Sequence, residues 1–205
     1  MPDLSPSEKR GIANLVKDIE SLGSNIIHSI AAAVDARDSA GSIHSQNVAK
    51  HAVAIGSMLG LSDRKLRQLR VAALLHDIGK IGIPDSILNS PDPLTEDEKL
   101  ALRKHLELGA NLVSQVPELV SSAPAIRHHH ERFDGTGYPQ GLKGDRIPLE
   151  ARIIAVADAY TNLVVETADR RALTPQEALI ELLQLVNTEF DPDVVNALAK
   201  AIEPE

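Results

Sequence analysis

Apolar residues recur at intervals of three and four along most of this chain, which is the spacing of amphipathic α-helices. The pattern is clearest over residues 7–38, where Ile12, Leu15 and Ile19 begin a series that continues to Ile30. We find no convincing alternation of apolar and polar residues of the kind that indicates a half-buried strand. Aromatic residues make up only 2% of the sequence, so alanine, leucine, isoleucine and valine must fill the core. Together these features predict an all-α fold.

Cap and turn signals divide the chain into successive helices. Gly60 and Gly79 are typical residues to end a helix, and Thr95–Glu98 resembles a capping box at the start of one. The predicted helices cover residues 7–38, 44–59, 63–78, 95–113, 117–130, 148–165, 175–186 and 191–202. We read the segments rich in proline and glycine as loops within one domain. The expected organisation is an N-terminal helical segment, 1–42, followed by one compact unit, 43–205.

The net charge of the chain argues against partners that present a phosphate backbone. Lysine and arginine number 21 against 29 aspartates and glutamates, a formal net charge of −8, whereas a domain that grips phosphate backbones usually shows a basic face. DNA is therefore not an expected partner. The absence of cysteine excludes disulfides, thiolate zinc sites and a cysteine nucleophile. With no signal-peptide pattern and no apolar run of about 18 residues, we expect a cytoplasmic protein that makes no membrane contact.

Histidines and aspartates stand where structural reasons alone would rarely place them. Three consecutive histidines, His128–His130, lead into a loop with two glycines and a proline. Asp77 and Asp158 end apolar runs, and an ionised aspartate is costly to bury unless a cation accompanies it. Imidazole and carboxylate without thiolate favour iron, manganese, zinc or similar ions. The candidate ligands are His44, His76, Asp77, His105, His129, His130 and Asp158.

Seven such groups on five segments suit a single cavity in a helical bundle. Two metals about 3.5–4 Å apart, bridged by Asp77 and a hydroxide, would form a phosphodiesterase centre in which the hydroxide attacks phosphorus. Lys80 follows His76 by four residues and could hold a phosphate oxygen. Asp77 and Lys80 are therefore the predicted catalytic residues.

Longer motifs surround these residues. They are His76-Asp77-Ile78-Gly79-Lys80, Lys104-His105 with Gly109, His129-His130-Glu131 through Gly137-Tyr138-Pro139, Arg152 to Asp158, and Phe190-Asp191-Pro192. In them the chain resembles the HD-GYP domains, the metal-dependent branch of the HD superfamily of phosphohydrolases, over about residues 33–202. The resemblance implies a single HD-type helical domain that hydrolyses the bacterial messenger cyclic di-GMP to pGpG or GMP. It also implies that the seven candidates are metal ligands and that Lys80 contacts the scissile phosphate.

The chain departs from the family pattern around the site. Ala40 stands where some members carry a glutamate that supports a third metal, so we expect two divalent ions, iron or manganese. Thr161 and Thr167 replace a common aspartate and arginine, and only Arg170 remains of two basic positions that face substrate. The expected substrate contacts are Lys80, Arg170 and Tyr138, with altered nucleotide recognition. Another cyclic dinucleotide or phosphoester, or a catalytically weak interaction module, stays open as an alternative.

Several residues have a second interpretation. Asp158 could be the buried ion-pair partner of Arg152, and Tyr138 could stack on a base or only brace its turn. His128 is expected to be structural, and Glu131 to pin the loop by hydrogen bonds. The N-terminal helix could form a homodimer with its copy. The loop Gly137-Tyr138-Pro139 could contact a diguanylate cyclase or another signalling protein.

Overall fold

Helices account for the regular secondary structure of the described residues, apart from one isolated bridge between Val186 and Phe190. The computed structural model describes residues 6–37, 43–166 and 171–203. The α-helices are α1 (Pro6–Asp35), α2 (His44–Met58), α3 (Asp63–Leu74), α4 (Asp85–Leu88), α5 (Glu96–Ser114), α6 (Ala123–His128), α7 (Leu149–Val164), α8 (Pro175–Gln184) and α9 (Pro192–Ile202). The 3₁₀ turns are Ile78–Gly82, Val120–Ser122 and Gly144–Arg146. The predicted all-α class is confirmed.

Two helices differ most from the predicted ranges. α3 ends at Leu74 rather than at residue 78, because the amide of Ile78 donates to the carbonyl of Leu75 and the chain tightens into the 3₁₀ turn. His76 and Asp77 therefore lie in a turn and not on a helix. The segment predicted as one helix over 117–130 contains only the 3₁₀ turn Val120–Ser122 and the short α6.

The main core lies among α2, α3, α7, α8 and α9 and consists mostly of aliphatic side chains. Ile55, Leu69 and Ile153 are fully buried. Each such side chain contributes about 1.5–3 kcal/mol relative to an exposed one. Ala52 and Ala157, also fully buried, leave room for the helices to approach closely.

A smaller cluster joins the segments that carry the candidate site. Val34 of α1, Leu75 and Ile78 of the turn after α3, Val113 of α5 and Ile126 of α6 pack together. Because these residues flank His76, Asp77 and the histidines after α6, the cluster holds the site-bearing segments against one another.

The first helix is packed at its C-terminal end and open along much of its length. Ala31 and Val34 are buried, whereas Leu15, Leu22 and Ile26 are 59%, 60% and 50% exposed. An apolar stripe of this kind on a 30-residue helix is available for association. Among the described residues, none of the helices combines the length and the apolar character that crossing a lipid bilayer requires.

Candidate metal centre

The seven predicted ligands come together where five segments meet. His44 is the first residue of α2, His76 and Asp77 occupy the turn after α3, and His105 lies on α5; His129 and His130 follow α6, and Asp158 lies on α7. The potential ligand atoms of one group, His44, His76 and Asp77, lie within 4.8 Å of one another. Those of a second group, Asp77, His105, His129 and His130, do so as well.

Asp77 belongs to both groups, and its surroundings are short of hydrogen bonds. Four potential ligand atoms are buried and have no hydrogen-bond partner within the part of the chain that the structure describes. They are Oδ1 of Asp77 and Nε2 of His76, His105 and His129. Buried polar atoms normally find a partner, and each that does not costs about 1–3 kcal/mol. Cations between these atoms would satisfy them, so the residues fit a metal centre.

Hydrogen bonds at the other ring nitrogen orient three of the histidines. Nδ1 of His76 lies 2.8 Å from the carbonyl of Ala73, and Nδ1 of His129 lies 2.8 Å from that of Ile126. His105 makes the same contact with Leu102 at 2.7 Å. A carbonyl only accepts, so Nδ1 carries a proton in each of the three, which leaves Nε2 as the nitrogen that can bind a metal. Metal-bound histidines are commonly oriented in this way.

Burial and neighbouring charges set the protonation of the cluster. Burial would raise the pKa of Asp77, but His76, Lys80 and His129 outweigh it and hold that pKa well below its usual value. Burial lowers the pKa of His129 well below its usual value and that of His130 to about 4. His76 differs, because Asp77 overcomes the effect of burial and raises the pKa of His76 to about 9. A metal ion bound here would displace that proton, since ligands bind cations in their deprotonated forms.

Asp158 lies beside the first group. Its Oδ1 is 3.0 Å from Nε2 of His44 and accepts a hydrogen bond of 3.0 Å from Nδ2 of Asn162. Arg152 instead contacts Asp145 and Asp191, at 2.9 Å and 2.5 Å. The alternative that Asp158 is the ion-pair partner of Arg152 is therefore wrong.

Lys80 faces the shared carboxylate. Its Nζ lies 2.7 Å from Oδ2 of Asp77. The turn that carries Lys80 can approach α5 closely because residue 79 is glycine: a Cβ there would stand 1.9 Å from the carbonyl oxygen of His105 and 2.6 Å from the amide of Gly109. The close approach brings Asp77 and Lys80 next to His105.

The loop after the histidines is held by hydrogen bonds to a buried carboxylate. Glu131, 4% exposed, accepts hydrogen bonds from the amides of Gln140 (2.8 Å) and Leu142 (3.1 Å), which confirms its predicted role in pinning the loop. His128 lies outside both ligand groups, with Nδ1 3.6 Å from Glu131. A Cβ at Gly137 would be 2.2 Å from the amide nitrogen of Arg132, so the loop needs glycine to fold back on this segment.

A cleft of about 320 Å³ opens beside the centre. Its lining includes His130, Tyr138, Asp158 and Asn162. The centroids of the Tyr138 and His130 rings are 5.2 Å apart. The guanidinium of Arg103 lies over the Tyr138 ring, 4.5 Å from the centroid of that ring. Sequence reasoning missed Arg103 and Asn162, although Arg103 directly precedes the Lys104-His105 motif.

Thr167 and Arg170, whose part in nucleotide recognition is a prediction from the sequence, lie outside the described residues. Thr161 lies in the core rather than in the cleft, contrary to its predicted part in recognition. It is fully buried, its hydroxyl donates to the carbonyl of Ala157 at 2.7 Å, and Nδ1 of His51 lies 3.0 Å away. The threonine therefore cannot touch a ligand directly.

Comparison with known proteins gives consistent similarities. A family model described as HD domain matches residues 25–194. The cyclic di-GMP phosphodiesterase response regulator RpfG of Xanthomonas campestris pv. campestris is 39% identical over 200 residues, covering 94% of this chain and 51% of that protein. The 3'3'-cGAMP-specific phosphodiesterase 2 of Vibrio cholerae is 33% identical over 187 residues, covering 90% of this chain and 36% of that protein. The chain thus spans about half the length, or less, of these relatives.

A solved structure shows the same fold. The cyclic GMP-AMP-specific phosphodiesterase V-cGAP3 of V. cholerae superimposes with a TM-score of 0.68 at 22% identity. The match covers 87% of this chain and 48% of that one. At this identity the likeness concerns the arrangement of the helices.

Proposed function

The chain belongs to the HD domain family and carries the motifs of its HD-GYP branch, and from this we propose that it is a metal-dependent phosphodiesterase that hydrolyses cyclic di-GMP to pGpG, GMP or both. The observation that carries the proposal is the pair of ligand groups that share Asp77, with four buried ligand atoms lacking hydrogen-bond partners among the described residues. The relatives whose names specify cyclic di-GMP support the choice of substrate.

HD phosphohydrolases depend on metal, and we propose that two divalent ions, iron or manganese, bind here. His44, His76, Asp77 and Asp158 would hold one ion, and Asp77, His105, His129 and His130 would hold the other. When bound, such ions activate water and neutralise charge on a phosphoryl group. Histidine and carboxylate donors without thiolate suit iron and manganese.

The protein side chains would divide the remaining tasks. The ammonium of Lys80, 2.7 Å from Asp77, would hold a non-bridging phosphate oxygen and offset the charge that develops there. Asp77 would fix the position of that ammonium. Tyr138, half-buried beneath Arg103, would border the substrate in the cleft, and Arg170 would supply a further cationic contact.

The test is a metal and product analysis. Protein purified without chelator is expected to contain about two transition-metal ions per chain, and protein loaded with iron or manganese should convert cyclic di-GMP to linear products. Asp77→Asn should lose metal and activity together. Fewer than one ion per chain, or no turnover by fully loaded protein, would contradict the proposal.

A second candidate substrate has its own support. Two relatives are named 3'3'-cGAMP-specific phosphodiesterases, so hydrolysis of another cyclic dinucleotide is the alternative. Parallel assays with cyclic di-GMP, 3'3'-cGAMP and cyclic di-AMP would separate the two by kcat/KM. A catalytically weak interaction module is the remaining alternative, which turnover abolished by Asp77→Asn would exclude.

The other expectations remain proposals. We propose a homodimer through the N-terminal helix, supported by the exposed apolar stripe of α1. A diguanylate cyclase or other signalling protein would contact the Gly137-Tyr138-Pro139 loop, where Pro139 is exposed. The division into segments 1–42 and 43–205 and the cytoplasmic location stay predictions.

A further inference from the structure

Two residues at the end of α1 hold the backbone of segments that carry site residues. We propose that Asp35 and Arg37 are positioning residues, Asp35 for His44 and Arg37 for Lys80. The inference rests on the proposed function, because it concerns how that metal centre and its phosphate contact are kept in place.

Asp35 binds the start of α2. Its side chain is buried, and its two oxygens accept hydrogen bonds from the amide and the hydroxyl of Ser45, at 2.9 Å and 2.5 Å. Ile43, the N-cap residue of α2, provides no side-chain cap. A carboxylate at this position satisfies a free amide and interacts favourably with the helix dipole. Because α2 begins at His44, the carboxylate of Asp35 fixes the direction in which that histidine leaves the helix.

Arg37 binds the turn after α3. Its guanidinium donates to the carbonyls of Lys80 (3.2 Å), Ile81 (3.0 Å) and Ile83 (3.1 Å), and to the carboxylate of Asp85 (2.6 Å). A planar guanidinium with five donors can serve four acceptors in a fixed geometry, which a lysine cannot. The 3₁₀ turn is thereby held where it presents Lys80 to the shared carboxylate.

The two contacts lie within three residues of chain. A single short segment therefore sets the backbone positions of a metal-ligand candidate on one side and of the phosphate-binding candidate on the other. Each contact has one local target, so each can be tested separately.

Asp35 is tested by metal affinity, a readout that does not require the protein to be a phosphodiesterase. Asp35→Asn keeps the shape but can accept through only one oxygen, and we expect Mn²⁺ to bind roughly 10–100-fold more weakly, measured by electron paramagnetic resonance titration. Ser45→Ala, which removes only the hydroxyl bond, should weaken binding less and in the same direction. It serves as the deciding variant if Asp35→Asn does not fold.

The matched control is Glu177→Gln, which weakens the capping box of α8, a helix without site residues. It should lower the melting temperature and leave Mn²⁺ affinity unchanged. Wild-type Mn²⁺ affinity in a folded Asp35→Asn or Ser45→Ala variant would overturn the role of Asp35. So would an equal loss of affinity in Glu177→Gln.

Arg37 is tested by a double-mutant cycle. Arg37→Gln should lower kcat by about 100-fold in the wild-type background, since a misplacement of about 1 Å can cost that much. In the Lys80→Met background the same change should have less than about a twofold effect, because the group it positions is gone. Asp85→Asn leaves the three carbonyl bonds in place and should stay within about twofold of wild type.

The outcomes separate the two hypotheses. Equal losses from Arg37→Gln in both backgrounds would mean a general effect on folding and would overturn the positioning role. An inactive, fully metal-loaded wild-type protein would instead defeat the proposed function and with it the role of Arg37, whereas the Mn²⁺ titration would still decide the role of Asp35.

Discussion

Lys80 shows how much can depend on a single side chain in this protein. Its ammonium lies 2.7 Å from the carboxylate that both ligand groups share, so it adds a positive charge at the edge of the centre without being a ligand. Metal binding and phosphate stabilisation should therefore respond differently when Lys80 is replaced.

For Lys80→Met we expect kcat to fall roughly 10²–10³-fold while the metal content stays at its wild-type value, because only transition-state charge stabilisation is removed. Steady-state kinetics and elemental analysis of the same preparation measure both. Lys99→Met is the matched control, since Lys99 pairs with the exposed Glu96 on α5 and should leave both quantities unchanged. Loss of metal in Lys80→Met would contradict the assignment.

His51 gives a prediction about stability rather than activity. Burial, and then the charge of Lys50, lowers the pKa of His51 from 6.5 to about 4. The unfolded chain therefore binds a proton more readily than the folded one between these values. The contribution of neutral His51 to the free energy of unfolding is fully present above about pH 6.5 and is lost as the pH falls toward 4. Allowing for its partial exposure, the loss should be about 1 kcal/mol between pH 7 and pH 5.

Urea unfolding at the two pH values measures this loss. His51→Gln removes the titrating group while keeping a side chain able to bond to Thr161, so its free energy of unfolding should change less with pH. If the free energy of unfolding changes equally with pH in the wild type and the variant, His51 does not contribute to the pH dependence of stability.

At this scale the sequence indicated the ligand candidates because histidines and aspartates beside apolar runs need a reason to be there. It could not show that Nδ1 of His76 is bonded to Ala73, because that contact depends on how the turn folds. Nor could it show that Thr161 points into the core, since α7 is apolar on more than one face. Arg103 and Asn162 were missed because arginine and asparagine are ordinary residues on helix surfaces.

At the scale of elements, the centre depends on short backbone distances between segments. The turn Ile78–Gly82 lies against α5 with no space for a side chain at residue 79. The neighbours there are backbone atoms of His105 and Gly109, which cannot move aside as a flexible side chain could.

Gly79→Ala should therefore destabilise the protein by at least about 3 kcal/mol, above the usual range for an inserted methyl group in a packed site. Chemical denaturation measures the change. Gly23→Ala is the control, since a Cβ there meets nothing within 4 Å and alanine favours a helix by about 0.5–1 kcal/mol. A stable Gly79→Ala variant with wild-type metal affinity would refute the close-packing argument.

Most helices could be predicted because their apolar spacing and caps agree. The predicted capping box at Thr95 is present, and the structure shows a second one at Thr174. The end of α3 could not be placed, because Ile78 keeps the helical spacing of apolar residues set by Val71 and Leu75, while the hydrogen bonding changes after Leu75. Apolar spacing reports which face is buried, and it does not distinguish an α-helix from the 3₁₀ turn that follows.

At the scale of the whole molecule, the C-terminal end of α1 packs against the rest of the domain, while the remainder of the helix carries exposed apolar residues. Its last turn contacts the site-bearing segments through Val34 and Asp35, and Arg37, two residues beyond the helix, does so as well. The fold class could be predicted from the helical spacing of apolar residues and the scarcity of aromatic residues. The mutual position of the segments could not, because it follows from packing between residues distant in sequence.

If α1 dimerises, the doubly substituted variant Leu22→Lys with Ile26→Lys should be monomeric while the wild type has twice the chain mass. Burying each leucine or isoleucine in a dimer contributes about 1.5–3 kcal/mol, and a lysine there would forfeit this. Light scattering coupled to size exclusion measures the mass. Ser24→Lys, exposed on the same helix, should remain dimeric, and a monomeric wild type at high concentration would exclude the dimer.

The imidazoles of His76 and His129 do more than offer Nε2 to a metal. The carbonyls they bind, those of Ala73 and Ile126, belong to the last turns of α3 and α6, where backbone acceptors have no partner further along the helix. The side chain of each candidate ligand therefore also satisfies a carbonyl in the last turn of the preceding helix, and alanine at either position would remove that hydrogen bond together with a ligand. Asparagine is the better substitution, because its amide can still donate to the carbonyl while nothing replaces Nε2. His76→Asn should keep its melting temperature closer to that of the metal-free wild type than His76→Ala does, although both lose the same ligand.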